Sequence, residues 1–163
     1  MTHVNLAHVH SVSIDALSAL NASVDSNAEA AGVSAVTVEL LRIRVSQING
    51  CASCLRLHTR EALKQGVTPE RLALVSAWRE CSYFDAVEEA ALTLAETITE
   101  IADGGMNDAT YDAVADVLTP AQFSALAWVA IVINAWNRVA LTSRWPVTPP
   151  SPYDAGNAVV EPN

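Results

Sequence analysis

A chain of 163 residues, 51% apolar and only 17% charged, is long enough to bury a core as one domain and too apolar for general disorder. Nine Lys and Arg against eighteen Asp and Glu give a net charge of −9, which excludes the basic footprint of a nucleic-acid or anionic-lipid binder. No apolar run approaches the roughly 20 residues of a membrane span, and MTHVNLAHVH has neither the basic nor the apolar region of a leader, so the expected location is the cytoplasm.

Helical signals dominate. An Ala- and Leu-rich segment from Ser13 to about Ala31 stops before Gly32, a C-terminal cap. Val38, Leu41, Val45 and Ile48 then share one helical face. LRIRV inside that stretch also alternates like a strand, but the apolar pattern runs beyond it and no partner strand is evident. Asn49 and Gly50 break this helix, and the next is expected from Cys51 to Gln65, with Gly66 as its cap. Thr68 and Pro69 open a helix ending near Cys81. Asp85 with Glu88 forms a capping box for a helix reaching about Ala102, before Gly104 and Gly105. Asn107 caps a short helix to Leu118. Thr119, Pro120 and Gln122 start a last helix, whose apolar run extends from Phe123 to Trp145 and belongs at the centre of the core. Residues 1–145 thus read as an all-α domain of six to seven helices. Five of the seven prolines fall in 146–163, which reads as an extended arm or tail.

Three cysteines in a chain that needs no staples point to reactive or metal-bound thiols. In QINGCASCLRLH, Cys51, Cys54 and His58 fall at i, i+3 and i+7, so two sulfurs and an imidazole share a helical face. Cys51 lies in the expected first turn, where free amides favour thiolate. Residues 42 to 60 carry Arg42, Arg44, Arg56 and Arg60 and no acid, a positive window whose arginines read individually as solvated. Glu39 lies among Val36, Val38, Leu40, Leu41 and Ile43 and needs a partner if buried. His58, oriented as in triad logic, and Arg42 at i+3 are the two options.

These residues resemble the AhpD-like alkylhydroperoxidases of the carboxymuconolactone decarboxylase superfamily. The resemblance covers about residues 35–142 and rests on Glu39, RVSQINGCASCLRLHTREAL, Trp78 to Glu80, and INAWNR from Ile133 to Arg138. It implies an all-helical oligomer, trimeric or hexameric, with peroxidase activity that uses no haem, metal or other cofactor. By the same resemblance, Cys54 attacks peroxide, Cys51 resolves it as a redox-active disulfide, and His58 with Glu39 forms the proton relay. A dithiol or lipoylated protein is the expected reductant. The best-known member has His immediately before the second Cys. Ser53 stands there in this chain, so that part of the relay is absent or replaced by water.

Two other readings compete: a zinc-binding structural module on Cys51, Cys54 and His58 with Glu39 or water as fourth ligand, and a non-catalytic redox-sensing interaction protein. Cys81 reads as packing, and His3, His8 and His10 as a solvated tail. Trp78, Trp128, Trp136 and Trp145 read as core or interface anchors. Asn134, Asn137 and Arg138 read as pairing among themselves or across a subunit interface.

Overall fold

The computed structural model describes residues 3–149, and among them there are helices and no strands. The elements are α1 (Leu6–Val9), α2 (Ser11–Ala30), α3 (Ala35–Asn49), α4 (Ala52–Lys64), α5 (Pro69–Leu74), α6 (Ala86–Thr99), α7 (Asp108–Ala115) and α8 (Pro120–Thr142), with 3₁₀ turns at Val75–Glu80 and Ile101–Asp103. The helix count exceeds the expected six to seven by the single turn α1. The proline-rich segment beyond 149 lies outside the described residues. Before it, residues 146–149 are described, and there Arg56 Nη1 of α4 donates to the Thr148 carbonyl at 3.3 Å.

Capping chemistry explains most of the boundaries. Thr68, Asp85, Asn107 and Thr119 each accept from the backbone N–H three residues on, and the Asp85–Glu88 and Thr119–Gln122 pairs are reciprocal. Three expected ends move, the helix capped by Asn107 stopping at Ala115 rather than Leu118. The helix opened by Thr68 leaves α geometry after Leu74, and Ala77 adopts φ −124°, ψ 28°, a kink to which apolar periodicity is blind. The helix opened by Asp85 ends at Thr99, and the chain tightens into a 3₁₀ turn before Gly104, a common way to finish a helix.

The LRIRV stretch is helical and central. In α3, Thr37 through Ile43, Val45 and Ser46 are all buried, because α3 separates two apolar clusters. On one side it packs with α2, α6 and α8 through Leu41, Val45, Leu94, Leu126 and Val129. On the other, Leu40 and Ile43 meet Ala62, Val75, Trp78 and Leu92.

The expectation that no segment is long enough to span a bilayer needs correction. By length and composition α8 is apolar enough to cross one, and half of its most apolar window is buried inside the protein. Its two asparagines turn inward: Asn49 Nδ2 donates to both Asn134 Oδ1 and Asn137 Oδ1 at 2.9 Å, and Asn137 Nδ2 donates to Ser46 Oγ at 3.2 Å. Arg138 bonds Asn134. These side chains therefore pair across helices within the subunit as well as with one another. Of the expected aromatic anchors, Trp78 is buried, whereas Trp128 on α8 is 46% exposed.

Candidate active site

The turn between α3 and α4 sets up the site. Gly50 takes φ +67°, and the next amide, that of Cys51, donates to the Ser46 carbonyl at 3.0 Å, so the chain reverses within two residues. Cys51 consequently stands at the N-cap of α4, one position before the first turn where the spacing put it, and its own carbonyl accepts from Leu55 N–H. Asn49, held by Asn134 and Asn137, fixes this turn on α8.

Cys51 and Cys54 are joined as a disulfide, with Cα atoms 5.4 Å apart. Both are buried, but differently placed. Both belong to one apolar cluster, but Cys54 also lines a cavity of about 530 Å³, whereas Cys51 is 1% exposed and is not part of its wall. The cavity lies between α2, α3, α4 and α8. Glu39, His58, Leu57, Ile133, Trp136 and Trp145 form much of its wall. Ser53, the neighbour of Cys54, has its hydroxyl 3.5 Å from Cys51 Sγ and 3.9 Å from Cys54 Sγ.

Glu39 has both expected partners. Its Oε2 is 2.8 Å from His58 Nδ1, and its Oε1 accepts from Arg42 Nη1 at 2.9 Å. The two options were not exclusive, because each carboxylate oxygen takes its own donor. Burial opposes ionisation of Glu39, but the hydrogen bond and charge of His58, with those of Arg42, outweigh it and hold the carboxyl below its ordinary range. An ionised carboxylate only accepts, so Nδ1 of His58 carries a proton. Nε2 makes no protein hydrogen bond among the described residues. It is the nitrogen left to exchange protons with a group in the cavity.

Arg42 is buried rather than solvated. It reaches Asp25 on α2 with its second nitrogen. Nothing local marks that partner, which is distant in sequence.

Glu96 also escaped the sequence reading. It accepts from Trp78 Nε1 at 3.0 Å, from Arg44 Nε at 2.8 Å and from Arg79, while the Arg79 guanidinium lies 4.1 Å from the centre of the Trp78 ring. The signal was present: Glu96 is an acid among apolar neighbours in LTLAETI, as Glu39 is in VTVELL. Cys81 is half-buried and its thiol donates to the Trp78 carbonyl at 3.5 Å. His8 and His10 are exposed. Among the described residues no group of three His, Cys, Asp or Glu side chains is arranged to hold a metal ion.

An all-helical fold with a paired Cys-x-x-Cys at a helix start, one sulfur at a cavity and a carboxylate-bound histidine one turn on defines the AhpD-like class. The model of the carboxymuconolactone decarboxylase family matches residues 14–97, and the chain belongs to that family. It is 39% identical over 109 residues to the uncharacterized protein YdfG of Bacillus subtilis (strain 168), covering 67% of this chain and 74% of that one. A crystal structure from Agrobacterium tumefaciens superposes with a TM-score of 0.79 at 27% identity, covering 91% of this chain and all of that one. That protein is of unknown function and carries a provisional designation as the antioxidant defence protein AhpD.

Proposed function

We propose that this chain is a thiol-dependent peroxidase that cycles Cys54 and Cys51 between dithiol and disulfide. In the reduced form Cys54 thiolate attacks the outer oxygen of a hydroperoxide. The S–O bond forms, the O–O bond breaks, and the alcohol or water leaves with the proton that His58 Nε2 took from the Cys54 thiol when the thiolate formed. Cys51 then attacks the sulfur of the resulting sulfenic acid, its thiol proton leaves with the hydroxyl as water, and the disulfide forms. An external dithiol, free or on a lipoylated protein, returns two electrons and two protons. Glu39 keeps His58 in the tautomer whose Nε2 faces this chemistry.

One observation carries the reading: Cys54 meets the cavity beside a histidine fixed by a carboxylate, and its disulfide partner lies behind it. Such a cycle needs a compartment that regenerates thiols, which favours the cytoplasm. Exposed Trp128 and Ile131 on α8 suit a face covered in a homo-oligomer, trimer or hexamer. Sedimentation of the intact chain against Trp128→Glu tests the assembly, with a smaller particle expected for the variant.

The reaction is tested by steady-state peroxide consumption with several dithiol donors, including a lipoylated protein, comparing the intact chain with Cys54→Ser. Turnover lost in the variant supports the assignment. Retained turnover overturns it, as does stoichiometric zinc whose chelation unfolds the protein.

A further inference from the structure

We propose that Arg42, anchored by Asp25 of α2, is a positioning residue that keeps the Glu39 carboxylate turned on His58. The inference deepens the peroxidase reading and rests on it for the use to which His58 is put.

The geometry is a chain of five side chains crossing from α2 to α4. Asn21 Nδ2 donates to Asp25 Oδ2 at 2.9 Å, and Asp25 Oδ1 accepts from Arg42 Nη2. Arg42 Nη1 donates to Glu39 Oε1 at 2.9 Å, and Glu39 Oε2 meets His58 Nδ1 at 2.8 Å. Each carboxylate uses one oxygen inward and one outward, and the planar guanidinium fixes the angle between them. Lysine, a point charge on a flexible stem, does not.

Glu39 needs such a brace because it stands between two spaces. With Arg42 it lines both the cavity at Cys54 and a second one, of about 510 Å³, bordered by Asp25, Glu29 and Val38. A carboxylate reached from two sides has a competing orientation toward the second cavity, where it can be hydrated. Arg42 occupies that side and neutralises the acid there. A guanidinium does not release its proton, so the chain orients the relay without conducting beyond Glu39. It also makes α2, which contributes Ser18 and Asn21 to the cavity wall, part of the support for His58.

The charged groups around Glu39 are His58 and Glu61 from α4, Asp25 and Glu29 from α2, and Arg42 on its own helix. The α8 wall supplies Ile133 and Trp136. A ring without a settled carboxylate supports a neighbouring thiolate less well, so loosening Glu39 raises the pH at which Cys54 becomes reactive.

The test is the pH dependence of iodoacetamide alkylation of the reduced full chain, followed at Cys54 by peptide mass, with helicity checked by circular dichroism. Asp25→Asn and Arg42→Gln are expected to move the midpoint upward by about one pH unit, which is about tenfold slower alkylation below it. Arg42→Lys should recover part of the shift. Folded Asp25→Asn and Arg42→Gln proteins with the parental midpoint, alongside a shifted Glu39→Gln, overturn the role of Arg42. An unshifted Glu39→Gln overturns the relay and this inference together. The expected shifts in a protein that consumes no peroxide support the positioning role and defeat only the reaction assigned to it.

Discussion

Cys54 and Cys51 differ in what they face: both sit in the same apolar cluster, but only the first lines the cavity. A peroxide reaching the site therefore meets Cys54 first. In Cys51→Ser the first step should survive and the second fail, leaving a sulfenic acid at Cys54 that dimedone traps. One equivalent of peroxide should be consumed, without catalytic turnover. Mass spectrometry after a single peroxide addition checks this, and a dimedone adduct on Cys51 in Cys54→Ser would reverse the assignment.

Ser53 occupies the position that is histidine in the best-known relative, and its hydroxyl lies within reach of both sulfurs. A hydroxyl donating to a thiolate stabilises it without titrating near neutrality. Its loss in Ser53→Ala should cost about 1 kcal/mol, near fivefold in the rate of peroxide reduction at neutral pH. The acid and base limbs of the rate profile should survive, because they belong to groups other than Ser53. Stopped-flow kinetics across pH separate this from loss of His58.

Glu39 ties the site to acid stability. Its folded carboxyl titrates below the ordinary value of 4.5 because His58 and Arg42 outweigh its burial. Unfolding therefore favours proton uptake. The stabilisation is fully present above the unfolded value and is lost as pH falls through the lower folded one. The stability difference between the parent and Glu39→Gln should thus be largest near neutrality and shrink below about pH 4.5. Denaturant melts at successive pH values measure it. A difference that stays constant would show that Glu39 is not held ionised by its neighbours.

Local chemistry was legible and distant pairing was not. Thr68, Asp85, Asn107 and Thr119 announce helix starts because a cap is complete within four residues. Cys51, Cys54 and His58 fall within eight residues, so helical spacing alone brings them together. Glu39 was conspicuous as an acid in an apolar stretch. Its pairing with both His58 and Arg42 depends on how α3 packs on α4, and the reading treated two compatible bonds as rivals. Asp25 gave no sign of its bond to Arg42, since it lies on a helix whose angle to α3 is set by packing on α8. Trp128, read as a core or interface anchor, is exposed on the single chain, since apolar character marks a side chain that favours cover without specifying which subunit supplies it.

Gly50 makes a backbone prediction free of packing. Its φ of +67° is left-handed, and a Cβ added there would meet nothing within 4 Å. Gly50→Ala should therefore lose about 1–2 kcal/mol from conformation alone, and Gly50→Asn less, since asparagine visits this region more readily. Both changes act at the turn that delivers Cys51, so the redox potential of the pair should move with Gly50→Ala. Equilibrium unfolding and a dithiothreitol redox titration give the two readouts.

Glu96 tests whether the acid that was overlooked matters as much to the fold as Glu39 does to the site. Its carboxylate on α6 receives Arg44 from α3 and Trp78 and Arg79 from the 3₁₀ turn after α5, so three parts of the chain meet at two oxygens. Burial disfavours its charge, and the bonds from Trp78, Arg79 and Arg44 nevertheless hold it below the ordinary range. Removing it in Glu96→Ala leaves the Trp78 indole N–H without an acceptor and the half-buried Arg44 with only Gln47 Oε1, at 3.4 Å. The expected loss is about 2–4 kcal/mol, below the top of the range for a broken buried pair because Arg79 keeps much of its side chain in solvent. Glu96→Gln keeps an acceptor for Trp78 but not the charge, and should fall between the two. Because the cluster lies away from the Cys54 cavity, thiol alkylation at Cys54 should be unchanged in whatever fraction remains folded. Chemical denaturation paired with that alkylation assay distinguishes a structural hub from a second element of the site.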